Sequence, residues 1–338
     1  MKLVFVGAGG FRTPGVCEGL YASPLAFDEV VLYDPDATRL RRIESVVDGL
    51  ALERGRTLPL RWTTDRAEAL AGADFVLCAI RPGGLAARVL DEQVPLEHGV
   101  IGQETTGAGG ILFALRTLPA LLDLAAEVAE RAPQAWFLNF TNPAGLTTEA
   151  LQQLLGPRVV GICDAPPTMY AGVAEALQVP EEELQFRYFG LNHLAWLGSV
   201  RHGERDLLPA LLGDDERLAR TEEGRLFGGE WLRLLGLLPN EYLVYYYRSR
   251  EVLDALRESG YGRGAYLLDQ QREFYSASHG DPSEALALWR ATRDFRRRIR
   301  RPSSCSCRAR SSPSTRRPSA RLSTTSSGRC AGIPRSST

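Results

Sequence analysis

Lysine is all but missing from this chain: Lys2 is the only one among 40 basic residues, so arginine carries nearly all of the positive charge. That skew reads as a coding bias rather than as function. A net field is missing too, because 41 acidic residues balance the 40 basic ones. Nothing in the overall charge therefore argues for nucleic acid or an anionic membrane surface as a partner. No apolar run is long enough to span a bilayer. The opening MKLVFVGAGG is brief and lacks a signal-peptide cleavage pattern, so a cytoplasmic protein is expected. The six cysteines suggest no disulfide framework: Cys17, Cys78 and Cys163 are scattered, and Cys305, Cys307 and Cys330 fall in an unusual tail. Internal repeats are absent as well.

What is there suffices for a substantial core. At 338 residues, 44% hydrophobic and 24% charged, the chain is expected to form two domains rather than one. Lys2 to Val6 reads as an apolar strand ending at Gly7-Ala8-Gly9-Gly10, after which Thr13 and Pro14 supply an N-cap and a first helical position. A second strand, Glu29 to Tyr33, stops at Asp34, and Arg39, Ile43, Val46 and Leu50 then recur with helical period. Further strands are expected at Phe75 to Ile80, Trp136 to Phe140 and Val159 to Ile162, with helices between them. This alternation predicts a Rossmann-like α/β fold, a doubly wound parallel sheet, over residues 1–164. From 165 to 295 a second, mixed α+β domain is expected. There, strands at Leu184 to Phe189 and Ala195 to Val200 flank the turn Gly190-Leu191-Asn192-His193, and Leu207 to Leu238 is leucine-rich and helix-compatible.

Residues 296–338 are basic, rich in Ser, Arg and Pro, and almost without periodic apolar positions. Such a segment cannot bury enough surface to offset its ordering entropy, so it reads as disordered rather than as a nucleic-acid arm. The preferred explanation is a shifted reading frame that replaced a native C-terminal segment; an intact frame across the codons of Asp294 to Arg301 would refute it.

Several residues stand where chemistry could occur. Gly7-x-Gly9-Gly10 lets backbone approach a pyrophosphate at the following helix N-terminus, and Asp34 stands where a ribose diol could be held. Arg12 occupies the place of the usual third glycine, so the fingerprint is imperfect. Cys163 stands at the carboxyl end of a strand, where open α/β sheets place ligands, although a lone cysteine there is ordinarily inert. Thiolate and imidazole suit a transition metal, yet Cys163 and His193 lie far apart in sequence. They would share an ion only if the fold brought them together, with substrate oxygens or water completing its coordination. Arg88 could capture phosphate or sit on a solvated helix face, and Asn142 before Pro143 could equally be a turn residue. The loop Gln103 to Gly110 is polar and dense in glycine. Tyr242, Tyr245, Tyr246 and Tyr247 crowd together, and local pattern cannot choose among them.

In order, the stretches GAGGFRTP, LYDPD, IRPGGLAARVLDEQVPLEHGVIGQETTGAGG, NFTNPAG, GICDAP, YFGLNH and LPNEYLVYYY resemble the NAD- and divalent-metal-dependent glycosidases of glycoside hydrolase family 4. Within that family the similarity is closest to the 6-phospho-β-glucosidases. The family is an exception to hydrolysis by paired carboxylates. The resemblance implies NAD held by Gly7, Gly9, Gly10 and Asp34, and a divalent metal, usually manganese, held by Cys163 and His193. It implies Tyr242 as the catalytic base, and Arg88, Asn142, Asn192 and Arg248 around the sugar and its 6-phosphate. Asp164 matches a general acid of some 6-phospho-α-glucosidases, whereas GGFRTP and the short span between His193 and Tyr242 look closer to the β-specific branch.

The implied chemistry oxidises the sugar C3 hydroxyl, acidifies and removes the C2 proton, expels the aglycone from C1, adds water and returns the hydride. The implied partner is a phosphorylated disaccharide or glucoside, with a homodimer or homotetramer where the C-terminal segment is intact. An ordinary NAD-dependent sugar or hydroxyacid dehydrogenase, or a non-catalytic dinucleotide or sugar-phosphate sensor, would also accommodate the glycine turn.

Overall fold

Strands buried on both faces are the mark of a parallel sheet covered by helices, and β1 (Lys2–Val6) and β2 (Glu29–Tyr33) each bury four of their five residues. They join β3 (Leu60–Thr63), β4 (Phe75–Cys78), β5 (Trp136–Asn139) and β6 (Val159–Gly161) in a six-stranded parallel sheet of order β3-β2-β1-β4-β5-β6. The strand order reverses between β1 and β4, which opens a crevice at their carboxyl ends. This computed structural model describes residues 1–260, 262–277 and 281–299. The tail reading lies outside the described residues from 300 onward, while 296–299, which it included, belong to helix Pro282–Ile299.

One local expectation is corrected, and one strand had gone unread. Helix Thr13–Ala22 is preceded by Arg12 as its N-cap residue, in αR geometry and with no side-chain cap; Thr13 is the first helical residue rather than the cap. Strand β3 carried no clear sequence signal, because it is four residues long, only partly buried and at the sheet edge. Its Arg61 reaches sideways to Glu29 on β2, with Nε donating at 2.6 Å. Elsewhere local chemistry is direct. Asp36 caps helix Ala37–Arg54 by accepting from the Thr38 and Arg39 amides, and Gly55 closes it in left-handed geometry.

The second sheet is antiparallel, built from β7 (Leu184–Leu191), β8 (Leu194–His202), β9 (Arg205–Asp206) and β10 (Leu238–Pro239). The hairpin turn shrinks to Asn192-His193, shorter than the four-residue turn expected, because pairing continues through Leu191 and Leu194. Beneath the sheet, Met169 and Val173 of helix Ala165–Leu177 meet Leu197, Val200, Leu211 and Leu232 in one core. The leucine-rich stretch forms four short helices, Leu208–Leu212, Asp215–Leu218, Glu222–Phe227 and Gly229–Leu235, divided by side-chain caps at Asp214 and Thr221 and by Gly228.

The last two helices, Arg263–Ser276 and Pro282–Ile299, do not stay with the second sheet. Their Phe274, Leu286 and Trp289 enter the core formed by Phe5, Leu32 and Ile43 of the first. Gly49 allows this approach, since a Cβ there would lie 2.3 Å from the Pro282 carbonyl oxygen. Two donors from these helices hold the glycine turn: Tyr275 Oη donates to Gly9 O at 2.7 Å, and Trp289 Nε1 to Phe11 O at 2.9 Å. Packing therefore crosses the 164/165 division read from the sequence. Among the described residues no helix is long and apolar enough to cross a membrane.

One buried carboxyl in the second region has a pH consequence. Glu223, 4% exposed on helix Glu222–Phe227, has its pKa pushed up to about 7 from 4.5, chiefly by burial. Its folded-state pKa is raised, so its protonated form is compatible with folding and stability falls as pH rises from about 4.5 to about 7, by about 3 kcal/mol in all. Glu223→Gln is expected to flatten that slope, gaining stability at pH 8 and little at pH 4; chemical denaturation at several pH values measures it.

Candidate active site

The crevice between β1 and β4 opens into a cleft of about 1380 Å³, above the range of about 300–1,000 Å³ usual for one small ligand. At one end lies the glycine turn. The amides of Gly7 and Ala8 donate to Tyr33 O, which pins the turn to the end of β2. Gly9 N donates to Asp34 Oδ2 at 2.9 Å and Asp36 N to Asp34 Oδ1 at 3.0 Å. A Cβ on Gly9 would sit 2.9 Å from that same carboxylate, so glycine is required by the approach itself. Burial pushes the Asp34 carboxyl up, partly opposed by the two amides. Gly7, Gly10 and Asp34 all line the cleft. The turn, the carboxylate and an uncapped helix N-terminus fit a dinucleotide.

Across the crevice, β6 delivers Cys163 and the β7–β8 turn delivers His193, whose φ of 61° is left-handed. Their Sγ and Nε2 atoms are 3.4 Å apart. An ion bound at about 2.3 Å from sulfur and 2.1 Å from nitrogen holds such donors about 3.1–3.6 Å apart, so the spacing fits one shared metal. Among the described residues no group of three or more His, Cys, Asp or Glu is placed to hold an ion. The protein would therefore contribute two donors and leave the other positions open. Cys163 Sγ also accepts from Ala165 N at 3.5 Å, at the start of helix Ala165–Leu177, and Asn192 hydrogen-bonds the same thiol. Burial nevertheless raises the thiol pKa overall.

The hydrogen bonds around His193 fix its tautomer. Gln103 Oε1 accepts from the Thr105 hydroxyl at 3.1 Å, so the Thr105 oxygen is left to accept from His193 Nδ1–H, also at 3.1 Å. That assignment points the Nε2 lone pair at Cys163. Burial lowers the His193 pKa to about 4, which keeps the ring neutral and able to bind a metal. Thr105 was not singled out from the sequence; its loop was noticed only as polar and glycine-rich. Thr105→Val should weaken manganese binding by about 10–100-fold, read by equilibrium titration, while the fold stays intact.

The structure separates the four tyrosines. Strand β10 pairs Leu238 with Leu197 and Pro239 with Trp196, which carries Asn240 next to the hairpin. Buried Asn240 accepts from Tyr242 N at 3.0 Å and donates to Tyr188 Oη at 3.0 Å. Tyr242 is thereby laid flat on His193, ring centroids 3.6 Å apart and planes 7° from parallel. Tyr245 lines the cleft, whereas Tyr246 and Tyr247 are exposed. Burial pushes the Tyr242 phenol far up, and the nearby carboxylates of Glu241 and Glu104 add to it.

A buried charge cluster missed in the sequence closes the floor. Glu104 pairs with Arg81 and with Arg88, whose Nη1 is 2.6 Å away, and Arg88 Nε meets Glu92 at 2.8 Å. Burial alone would raise the Glu104 carboxyl; the two guanidinium groups hold it below its ordinary value. Glu92 in turn accepts from Gly264 N at 2.6 Å, tying this cluster to a C-terminal helix. Arg88, Asn142, Asp164 and Tyr242 all line the cleft. Arg248 is not among its lining residues: Nη1 donates to Leu226 O at 2.7 Å and Nε faces Glu251. Asn192 is exposed beside Cys163.

A nucleotide-type turn at the switch point between β1 and β4, and a thiol, imidazole and phenol gathered at the far end of the cleft, define a Rossmann-like fold that carries two candidate metal donors beyond its glycine turn. The family 4 glycosyl hydrolase model matches residues 2–179, and that of the family 4 glycosyl hydrolase C-terminal domain matches residues 188–304. The chain belongs to family 4 of the glycosyl hydrolases.

Its relatives include a probable 6-phospho-beta-glucosidase of Bacillus subtilis, 33% identical over 302 residues, covering 85% of this chain and 67% of the relative. The 6-phospho-beta-glucosidase of Escherichia coli is 36% identical, covering 78% of this chain and 61% of that one. The 6-phospho-alpha-glucosidase 1 of Lacticaseibacillus paracasei is 34% identical, covering 75% and 61%. The chain thus spans 61–67% of the length of these curated relatives. Among solved structures, the 6-phospho-beta glucosidase of Thermotoga maritima with manganese, NAD+ and glucose-6-phosphate superposes with a TM-score of 0.73 at 27% identity, covering 86% of this chain and 72% of that one. A 6-phospho-alpha-glucosidase from gut microorganisms, in complex with NAD and Mn2+, gives 0.73 at 28%, covering 88% and 70%.

Proposed function

We propose that this protein hydrolyses 6-phospho-glucosides by a redox-assisted elimination and addition, with the β anomer as its preferred substrate. The observation that carries the reading is the 3.4 Å approach of Cys163 Sγ and His193 Nε2 beneath the Tyr242 ring. Two donors that converge on one point, beside a phenol and facing a dinucleotide turn, suit proton removal next to a transiently oxidised carbon better than direct attack on a glycosidic bond. When bound, NAD would supply reversible hydride transfer at the sugar C3, and a divalent ion such as manganese, held by Cys163 and His193, would supply Lewis acidity beside it.

The chain's own residues do the rest. Gly7, Gly9 and Gly10 admit the pyrophosphate and Asp34 meets a ribose. Tyr242 accepts the proton from C2, which the neighbouring ketone has made acidic, and returns one when water has added at C1. Arg88, Asn142 and Asn192 orient the sugar. Arg248 requires a turn of its side chain away from Leu226 O before it could meet a phosphate. The 6-phospho-α-glucosidase reading is favoured by one residue, Asp164, whose carboxyl faces the same cleft and could protonate a leaving group.

The test pairs chromogenic α- and β-linked glucoside 6-phosphates, with NAD and manganese each supplied or withheld after stripping. Release that needs both additives is expected, faster from the β substrate. Release independent of both would overturn the mechanism, and net NADH formation from free sugar phosphate without aglycone release would point to an ordinary dehydrogenase.

A further inference from the structure

The residue in the place of the fingerprint's third glycine has an unexplained partner. Arg12 Nη1 lies 3.0 Å from Asp164 Oδ2, linking the turn after β1 to the residue that follows Cys163, and both side chains are 46% exposed. Arg12 also lies over the Phe140 ring at 5.0 Å. Both members of the pair line the cleft.

Arg12 is also the N-cap residue of helix Thr13–Ala22, which no side chain caps. Thr13 N donates to Gly10 O, Val16 N to Arg12 O and Pro14 has no N–H, so it is the helix dipole rather than a row of amides that makes this setting favourable to an anion. A second feature points the same way: Thr13 Oγ1 is buried, lines the cleft and has no hydrogen-bond partner. A buried hydroxyl without a partner is costly unless a ligand completes it.

We infer that Arg12 is a shared cation, held by Asp164 when the nucleotide site is empty and taken by the dinucleotide pyrophosphate when it fills, so that NAD binding detaches Asp164 from Arg12. The energetics allow the exchange. A half-exposed ion pair is weak, whereas a planar guanidinium facing a phosphate gains paired, charge-assisted hydrogen bonds. Asp164 and the nucleotide therefore compete for one guanidinium, and occupancy at the glycine turn is felt beside Cys163. This rests on the reading of the turn as an NAD site.

The experiment is equilibrium binding of NAD+ to the full chain without added metal, by intrinsic fluorescence or calorimetry, with thermal melts to establish that each variant folds. Asp164→Asn should tighten NAD+ by about two- to five-fold, the worth of an exposed pair. Arg12→Met should weaken it, Arg12→Lys should fall between, and in an Arg12→Met background Asp164→Asn should have no further effect. ADP-ribose, which keeps the pyrophosphate and lacks nicotinamide, should repeat the pattern. The same gain from Asp164→Asn with and without Arg12 would overturn the coupling, as would NAD+ binding indifferent to Arg12→Met. Failure of every variant and of the native chain to bind NAD+ would instead remove the nucleotide site itself, and the coupling with it.

Discussion

Tyr242→Phe is expected to lower turnover of a 6-phospho-glucoside by about 10²–10⁴-fold, the usual contribution of a positioned acid–base group, with little change in KM. The substitution keeps the ring stacked on His193 at 3.6 Å and removes only the phenolic oxygen, so the loss would report proton transfer rather than packing. Burial and the carboxylates of Glu241 and Glu104 oppose ionisation of this phenol. A buried phenol of that kind needs a cation beside it to act as a base at neutral pH. The activity that survives in Tyr242→Phe should also lose the exchange of the C2 proton with deuterated water, which NMR follows directly. A variant that keeps that exchange would assign the base elsewhere.

Cys163→Ala should abolish detectable metal binding and metal-dependent turnover together. Only two protein donors converge here among the described residues, so removing one leaves a lone imidazole. Even hydrogen-bond partners of metal ligands are worth about 10–100-fold in affinity, and loss of a donor should exceed about 100-fold. Manganese titration of Cys163→Ala reads the first effect, and assays over a range of added manganese read the second. NAD+ affinity should be preserved, because Gly9 and Asp34 stand at the other end of the crevice. Full activity in this variant would remove the metal from the proposed chemistry.

Much of the nucleotide half was legible because its signals are local. Short apolar runs gave the positions of β1, β2, β4, β5 and β6, and the parallel sheet followed from helices between them. Strand β3 escaped because an edge strand of four partly buried residues has almost no pattern to read. The helices Arg263–Ser276 and Pro282–Ile299 escaped for a different reason: their Phe274, Leu286 and Trp289 meet Phe5, Leu32 and Ile43, and sequence carries no address for such long-range packing.

The site divided in the same way. Each landmark was visible alone, yet no local pattern joined Cys163 to His193; that pairing depends on a hairpin turn meeting the end of β6. Tyrosine choice was equally non-local, since β10 and the Asn240 anchor decide which ring lies against His193. Thr105 and the Glu104 cluster were hidden because their roles exist only between partners far apart in the chain. Arg248 shows the converse, a residue matched by motif whose side chain is engaged at Leu226 O and Glu251.

The donors from Tyr275 and Trp289 make the glycine turn a hostage of two helices far along the chain, Arg263–Ser276 and Pro282–Ile299. If the turn holds a dinucleotide as proposed, displacing Tyr275 or Trp289 would first surface as leaky retention of the nucleotide, with the thiol and imidazole still in place. Loss of coenzyme grip, and not loss of metal, is the symptom by which such damage would be recognised.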